Sequence, residues 1–553
     1  MARMFLNSVF IIALALAAAF PAAAQFRPER VYQQSAAVQV RYPDPPAAYG
    51  TPGFKPGRAD FTTHEEMMSF LEALQRASDN VHLRIVGASQ EERAIPLLVL
   101  SNSGYAEPVD LARLGRPVVM LVGLQHGNEP AGGEAMLALA QALAQGPLKP
   151  LLDRISVLIM PRANPDGAHY FTRSPYSTVD INRDHVKVAL PETAAQHAVV
   201  NAYQPHVFVD AHEFSVATRW IEKFGVLQSY DLLLQYATNP NVTPELTKLA
   251  DGLYLRNMRR DIERAGYTHS WYYTTSYNMQ DKRVAMGGTT PDIGRNFAGL
   301  QHAISFLVES RGVGIGRQSY ARRVHSHLVA IGALLQTTAD HARQVLDTVH
   351  ESRRSVTSRG RAPREGDDIA VTLKNVERLH TLTMIDPQSG ELRDIEVQWT
   401  DALAAQPDLV RRRPYAYVTP PVFHDVARRL AFSGVEVRRL TAPATLEVES
   451  YQVTDRKPSP TYVEGRAVSR VTTEVVPKTV TFPAGSYVYS MAQPNAQVVA
   501  VALEPEAPSS FVSFGIIPVD KRGSPPTIAA PSEVPVYRVV APVTLPAATV
   551  DMK

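Results

Sequence analysis

The pattern of hydrophobic and polar positions divides the chain into two parts of different character. In the first part, apolar runs of strand length recur, and the clearest, Pro117 to Leu124, leads directly into the helix-like segment AGGEAMLALAQALAQ. Similar runs cover 155–160, 207–209 and 304–308. Strands that are apolar on both faces are typical of parallel or mixed sheets covered by helices. The pattern therefore predicts an α/β fold for this part.

Local signals predict further elements around these strands. Thr63 followed by Glu66 is a capping pattern ahead of a helical apolar repeat. Strands are predicted at 81–86 and 95–100, and a long helix at 319–350. The second part is mostly strand-like, with one helix-like stretch, and its predicted elements are a strand at 415–418, a helix at 422–432, and strands at 435–440, 446–453, 468–476 and 487–491.

A chain of 553 residues is too long for one hydrophobic core, so we expect at least two folded units. Residues 25–59 are rich in Pro, Gly, Tyr and Ala and predict an extended N-terminal arm. The first unit would cover 60–352, a charged linker 353–368, and a smaller β-rich accessory domain 369–553.

The first 24 residues have the pattern of a secretory signal peptide. Arg3 precedes an apolar run, and Pro21 is followed by Ala22-Ala23-Ala24, a small-residue cleavage pattern. We expect export to a periplasm or to the exterior, with no stable membrane insertion once the leader is cleaved.

Composition removes several classes of function. The chain has 45% hydrophobic and 20% charged residues, which is ordinary for a globular protein. Its formal net charge is only +2, which disfavours nucleic-acid binding by phosphate neutralisation. There is no cysteine, so disulfides, thiolate metal ligands and a Cys nucleophile are excluded.

The first candidate chemistry is His126-Gly127-Asn128-Glu129-Pro130, between a buried strand and a helix. Side chains at strand ends point into the crevice where α/β proteins bind ligands. Two ligands spaced by three at such a turn can face one centre. Alone, H-x-x-E is a common chance match.

Two further strand ends carry residues of the same kind. His212 closes the strand HVFVDAH, and as a third ligand it would leave a catalytic zinc with an open position for water. Taken alone, it could equally be a structural core histidine. Glu309 ends ISFLVE, where it could pair with Arg311 or accept a proton from a metal-activated water.

Polar residues between these strands form a fourth candidate segment, 164–184. Asn164-Pro165-Asp166-Gly167 is a turn by composition, and Arg173, Asn182 and Arg183 follow it. One arginine could hold a substrate carboxylate and the other could stabilise an oxyanion. Most arginines, however, are surface charges.

Together and in this order, the five motifs H-x-x-E, N-P-D-G, V-D-x-N-R, a strand-end His and a strand-end Glu resemble the zinc metallocarboxypeptidases, the M14 peptidases that include carboxypeptidases A and B. The resemblance covers about Asp60 to Gly314. It implies an α/β/α sandwich around a mixed eight-stranded sheet, and one Zn²⁺ ion.

The resemblance also implies a role for each matching residue. His126, Glu129 and His212 would be the zinc ligands, and Glu309 the general base. Asp180 would orient His126. The remaining matching residues would contact the substrate, Arg173 as the oxyanion arginine and Arg183 with Asn182 as the site for the terminal carboxylate.

The sequence departs from the family pattern in three places. The phenolic tyrosine that caps the substrate has three candidates here, Tyr272, Tyr273 and Tyr277. The segment GGTTPDIGRN at 287–296 differs from the usual family sequence, so the sequence does not identify the pocket that selects the terminal side chain. The connection from Arg183 to His212 is short, as in bacterial branches of the family.

We therefore expect an exported zinc carboxypeptidase that acts on peptides with a free C-terminal carboxylate. An alternative is a zinc amidase or deacylase acting on murein peptides or N-acyl amino acids. A second is a catalytically silent binding protein, which the presence of Glu309 disfavours. The oligomeric state and the role of the accessory domain are open.

Overall fold

A computed structural model describes residues 26–519 and 533–552. The predicted signal peptide, residues 1–24, lies outside the described residues. Within them, no helix is both long and apolar enough to cross a membrane.

Twenty-one strands are present in the described residues. In chain order they are β1 Val81–Ala88, β2 Ala94–Leu100, β3 Val118–Gly123, β4 Ser156–Met160, β5 Val207–Ser215, β6 Leu232–Tyr236, β7 His269–Trp271, β8 Tyr273–Thr275, β9 Val284–Met286, β10 Ile304–Val313, β11 Asp368–Ala370, β12 Leu373–Ile385, β13 Leu392–Pro407, β14 Val410–Arg412, β15 Ala416–Thr419, β16 Arg438–Leu440, β17 Ala444–Val463, β18 Arg466–Phe482, β19 Tyr487–Ser490, β20 Glu533–Val539 and β21 Ala547–Thr549.

Helices lie between these strands. In chain order they are α1 Ala36–Gln39, α2 His64–Arg76, α3 Pro108–Arg113, α4 Pro130–Ala144, α5 Pro165–Tyr170, α6 Pro191–Tyr203, α7 Arg219–Phe224, α8 Pro244–Leu249, α9 Arg256–Arg264, α10 Gly294–Leu300, α11 Tyr320–Asp340, α12 Ala342–Arg361, α13 His424–Phe432 and α14 Ala496–Leu503, with short 3₁₀ turns at Pro28–Arg30, Pro52–Phe54, Lys149–Asp153 and Ile181–Arg183 and a π turn at Ala250–Leu255.

The predicted mixed eight-stranded sheet is confirmed, in the order β1-β2-β4-β3-β5-β10-β6-β7. Its central strands are apolar on both faces, and successive residues pack into different cores. Val119 and Leu121 of β3 pack in one core with helix α4 and helix α11, while Met120 packs in another with residues of helix α6 and helix α10. Because the side chains of β3 are buried on both faces of the sheet, its sequence is a continuous apolar run. Residues 60–352 therefore form a sandwich of helices around a sheet.

Three neighbouring central strands run parallel. β3 pairs with β5 and β5 pairs with β10 in parallel ladders. Their carboxyl ends therefore meet at one edge of the sheet, where α/β proteins bind ligands. The sheet topology thus brings His126, which follows β3, close to His212 and Glu309. Contrary to the prediction, these two residues do not end their strands, because β5 continues to Ser215 and β10 to Val313; they lie just past the point where β3 stops pairing with β5.

The charged segment predicted as a linker, 353–368, is helical in its first part. Helix α12 continues to Arg361 and buries Val345, Val349 and Val356 at spacings that keep them on one face. The surrounding charges obscure this stripe in the sequence, since they occupy the solvent side of the helix. The prediction of a linker over residues 353–361 was therefore wrong.

The C-terminal part is β-rich, as predicted, but its first hairpin belongs structurally to the N-terminal part. β12 and β13 form one sheet with β9 and β8, in the order β12-β13-β9-β8. A seven-stranded sheet contains the long hairpin β17–β18. Because strand pairing joins 373–407 to 273–286, the two predicted domains are interlocked.

The N-terminal arm lies on the sandwich and contains short helical turns. The backbone N–H of Tyr32 donates to Gly314 O at 2.8 Å, and the hydroxyl of Tyr42 donates to Ser229 O at 2.6 Å. These contacts attach a segment that has no sheet pairing of its own.

Candidate active site

The turn after β3 depends on a close approach of two backbone segments. An added Cβ at Gly127 would lie 1.8 Å from the carbonyl carbon of Gly167, so only glycine fits there. Asn164 is fully buried and donates from Nδ2 to the carbonyls of Gln125 and Arg173, both at 3.1 Å. It also caps helix α5, so the predicted N-P-D-G turn is the start of a helix. The motif thereby ties the turn after β3 to the Arg173 loop.

His126, Glu129 and His212 converge at the sheet edge, all of them buried. The Nδ1 atoms of the two histidines are 3.0 Å apart. Glu129 places Oε1 2.8 Å from His126 Nδ1 and Oε2 2.8 Å from His212 Nδ1. All candidate ligand atoms lie within 4.8 Å of one another.

The outer nitrogen of each histidine faces an aspartate. His126 Nε2 lies 3.0 Å from Asp180 Oδ1, and His212 Nε2 lies 2.7 Å from Asp210 Oδ1. Carboxylates in this position orient metal-ligating imidazoles with Nδ1 toward the metal. Burial disfavours the charged form of His212, yet Asp210 and Glu129 overcome it and raise the pKa of this histidine well above its usual value.

This donor set fits a zinc ion. Two imidazole nitrogens and one carboxylate are the ligands of catalytic zinc sites that keep a position open. Both Nδ1 atoms and both Glu129 oxygens point into the same space, and the surrounding acids favour positive charge there. The three residues predicted as ligands are therefore brought together.

Glu309 lies beside this group. It is the register partner of His212 in the β5–β10 ladder and is only 6% exposed. Burial raises the pKa of Glu309 to about 8. Within the described chain, its carboxylate has neither a hydrogen bond nor a cationic partner within 4.0 Å, since Arg311 donates to Gln228 O at 3.1 Å instead. The alternative Arg311 pairing is thus not observed.

Arg173 reaches the ligand group from its loop. Its Nε and Nη2 donate to Asp180 Oδ2 at 3.0 and 2.7 Å. Its Nη1 lies 3.2 Å from His126 Nδ1 and 3.6 Å from Glu129 Oε1. Asp180 therefore holds both a histidine and this guanidinium.

Asn182 and Arg183 lie in a short turn next to these residues. The amide of Asn182 donates to Asp210 Oδ2 at 3.2 Å, lies 3.0 Å from His212 Nε2, and accepts the backbone N–H of Gly294 at 2.6 Å. Arg183 Nη1 donates to Asn182 O at 2.6 Å, and no carboxylate in the described residues lies within 4.0 Å of the Arg183 guanidinium.

The three candidate tyrosines have different environments. Tyr273 is fully buried, with its ring against Trp220 and Trp399. Tyr277 is 81% exposed and lies under Arg219. Tyr272 lies among the charged groups of the site, and burial together with the charge of Glu309 raises its pKa. Only Tyr272 faces the sheet-edge group.

Three residues at the site had no role in the sequence-based prediction. Asp210 is visible in the sequence as the acid two positions before His212, a usable signal for an imidazole partner. Glu464, in the turn between β17 and β18, accepts the backbone N–H of Asp180 at 2.7 Å. Arg295 approaches from the segment 287–296. No local pattern links these last two to the site, because long-range packing places them.

A His–His–Glu set with a further carboxylate beside it, at the edge of an α/β sandwich, is the arrangement of a zinc-dependent hydrolase. The model of the family Peptidase M14, zinc carboxypeptidase, matches residues 67–320. Carboxypeptidase 2 of Trichophyton equinum is 34% identical over 471 residues, which are 84% of this chain and 86% of the relative. Carboxypeptidase 2 of Trichophyton rubrum is 35% identical over 472 residues, 85% and 86% of the two chains. The chain belongs to the zinc carboxypeptidase family, whose cofactor is one Zn²⁺ ion.

Among solved structures, the chain has a match to the carboxypeptidase A from Helicoverpa armigera. It has 18% sequence identity and a TM-score of 0.41, and the match covers 55% of this chain and 80% of that chain.

Proposed function

We propose that the protein removes the C-terminal residue from peptides at this sheet edge, with His126, Glu129 and His212 as the zinc ligands. The observation that carries the proposal is the unbonded carboxylate of Glu309 in register with His212. A buried carboxylate without a partner is costly unless it has a chemical use. Zinc, when bound to these residues, would act as a Lewis acid that polarises the scissile carbonyl and lowers the pKa of a water molecule.

Glu309 acts as the general base in this proposal. Its carboxylate takes a proton from the attacking water and passes it to the nitrogen of the leaving amine. The pKa of Glu309 is raised because its carboxylate is buried away from water. A cation bound beside Glu309 would favour the charged carboxylate and lower this pKa toward neutral pH.

Arg173 stabilises the negative charge that develops on the carbonyl oxygen. Two of its nitrogens are held by Asp180, while Nη1 faces the ligand group, so the guanidinium is oriented before substrate arrives. Asp180 thus positions two groups at once.

Arg183 binds the terminal carboxylate, because its guanidinium has no carboxylate partner of its own in the described residues. Asn182 is expected from the family resemblance to share this contact. Its amide is bonded to Asp210 and Gly294, so we propose that it positions Arg183 and His212 instead. Tyr272, which interacts electrostatically with Arg173 and Arg183, caps the substrate in this proposal.

The test compares peptides that differ only in having a free or an amidated C terminus. We expect release of the last residue from the free peptide alone, inhibited by a chelator and restored by zinc. Equal cleavage of the amidated peptide, or cleavage only of murein fragments or N-acyl amino acids, would favour an amidase or deacylase.

We also propose that residues 1–24 direct export and are removed. Expression of the full chain followed by N-terminal sequencing of the exported protein tests this, with a start near Gln25 as the expected result. Retention of the leader in a membrane fraction would contradict it.

A further inference from the structure

Arg295 is a buried guanidinium next to the proposed site. It is the second residue of helix α10 and is only 2% exposed. Its single side-chain hydrogen bond within the described residues goes from Nη2 to Gly288 O at 2.8 Å, and its buried Nε has no partner. No carboxylate in that part of the chain lies within 4.0 Å of it, although Asp292 is buried three positions earlier.

The residues around Arg295 are the ones to which the proposed function assigns substrate contacts. An added Cβ at Gly287 would lie 2.7 Å from Tyr272 Cδ1 and 2.8 Å from Arg295 Nη2, so the phenol ring and the guanidinium flank the same glycine. Tyr272, Arg183 and Glu309 are the ionisable neighbours that affect the pKa of Arg295 most. The backbone N–H of Gly294, the preceding residue, donates to the Asn182 side chain.

The pocket therefore contains two guanidiniums without carboxylate partners. Burial of Arg295, together with the positive charge of Arg183, disfavours the charged form of Arg295 and lowers its pKa to about 10. Arg295 therefore remains charged at neutral pH. A fully buried guanidinium beside a second, half-buried one is costly unless a ligand neutralises it.

Anchoring the loop 287–296 does not require this charge. Asn296 donates from Nδ2 to Gly288 O at 3.0 Å and to Thr290 O at 2.9 Å. An uncharged amide therefore already fixes the loop, and it shares with Arg295 the acceptor at Gly288.

We propose that Arg295 selects substrates whose C-terminal residue is glutamate or aspartate. Arg183 holds the α-carboxylate of that residue and Arg295 holds its side-chain carboxylate. A planar guanidinium matches a carboxylate bidentately, and an uncharged side chain of the same shape leaves the buried charge unpaired. This inference rests on the proposed carboxypeptidase function and specifies its substrate class.

The experiment uses pairs of peptides that are identical except for the last residue, Glu against Gln and Asp against Asn. With the zinc-loaded enzyme we expect kcat/KM to be about 10- to 100-fold higher for the acidic member, as for a charge-assisted hydrogen-bonded pair. A Glu-to-Gln ratio near one in the wild-type enzyme, with chelator-sensitive release of both residues, overturns the specificity proposal and leaves the carboxypeptidase function standing.

Two variants assign the preference to Arg295. Arg295→Gln should reduce the Glu-to-Gln ratio to about one while keeping chelator-sensitive hydrolysis of the Gln peptide. Arg295→Lys keeps the positive charge but loses the planar guanidinium that can form two parallel hydrogen bonds, so it should give an intermediate Glu-to-Gln ratio of kcat/KM. A ratio unchanged in both variants excludes Arg295 as the selecting residue.

Arg413 offers a matched control. It is also buried, its guanidinium donates to Gln497 Oε1 at 3.0 Å, its Nε has no partner, and burial lowers its pKa to about 10. Arg413→Gln should keep the wild-type ratio whatever it does to stability. If no peptide of either kind is cleaved in a chelator-sensitive way by the wild-type enzyme, the carboxypeptidase function itself fails.

Discussion

The ligand group and the substrate pocket differ in how completely their polar atoms are bonded. In the ligand group, each histidine has a carboxylate on its outer nitrogen, and Glu129 also accepts the backbone N–H of Glu213 at 3.1 Å. In the pocket, Glu309, Arg183 and Arg295 lack charged partners among the described residues.

Two neighbouring glutamates show the same difference. Glu213 follows His212 and accepts from Arg323 Nε at 2.8 Å, from Ser310 Oγ at 3.2 Å and from the N–H of Ala131 at 2.9 Å. Glu309 is nearly as buried, yet its carboxylate accepts no hydrogen bond within the described residues. Since a buried charge normally finds a partner, we infer that the unbonded groups mark the space proposed for substrate and water.

The largest expected effect comes from removing the metal. Chelation, or His212→Ala, should reduce turnover to background because the ligand set is incomplete. Zinc content by elemental analysis and activity should fall together, and zinc should restore the chelated wild type only. Full activity of the metal-free protein would refute the role of the ligand group.

Glu309→Gln should lower kcat/KM by about 10²- to 10⁴-fold, the range for a general base, with zinc content unchanged. Its stability should change little, because Glu309 has no partner to lose. Steady-state kinetics and urea unfolding of the zinc-loaded protein measure the two effects.

Glu213→Gln is the matched control variant for Glu309→Gln, because it changes a buried carboxylate that does have bonded partners. It breaks a buried ion pair with Arg323 and should cost about 3–5 kcal/mol in the free energy of unfolding. If the Glu213 variant lost turnover without losing stability, the contrast between the bonded and unbonded carboxylates would be wrong.

Asp180→Asn should lower kcat/KM by about 10- to 100-fold, because the residue orients both His126 and Arg173. Zinc affinity, measured by competition with a chromophoric chelator, should weaken as well. A variant with normal zinc affinity and normal turnover would show that the positions of these two groups do not depend on Asp180.

Glu464→Gln should have the smallest effect, a reduction of about two- to tenfold in kcat/KM, since it removes one charged acceptor for a backbone N–H. The change tests whether the β17–β18 hairpin supports the site. Asp455→Asn, in the same hairpin and more exposed, is the control and should be neutral.

Much of this arrangement was predictable from local patterns. The apolar run ahead of His126 is strand β3, and Thr63 forms the predicted capping box with Glu66. The three ligand candidates and Glu309 were implied by the family resemblance, which the order of the motifs carries, and the parallel pairing of β3, β5 and β10 explains why they lie close together. The last part of helix α12, residues 351–361, was missed because its one buried valine, Val356, stands among charged residues.

The sequence by itself determined the class of fold, the strands that carry the candidate metal ligands, and the kinds of ligand atom available. These depend on local periodicity and on residue chemistry, which neighbours along the chain already define. Only the tertiary structure decided which tyrosine faces the site, which glutamate is left unbonded, and that Arg295 and Glu464 belong there. Such choices depend on strand register and on contacts between residues far apart in the chain, and no local pattern encodes them.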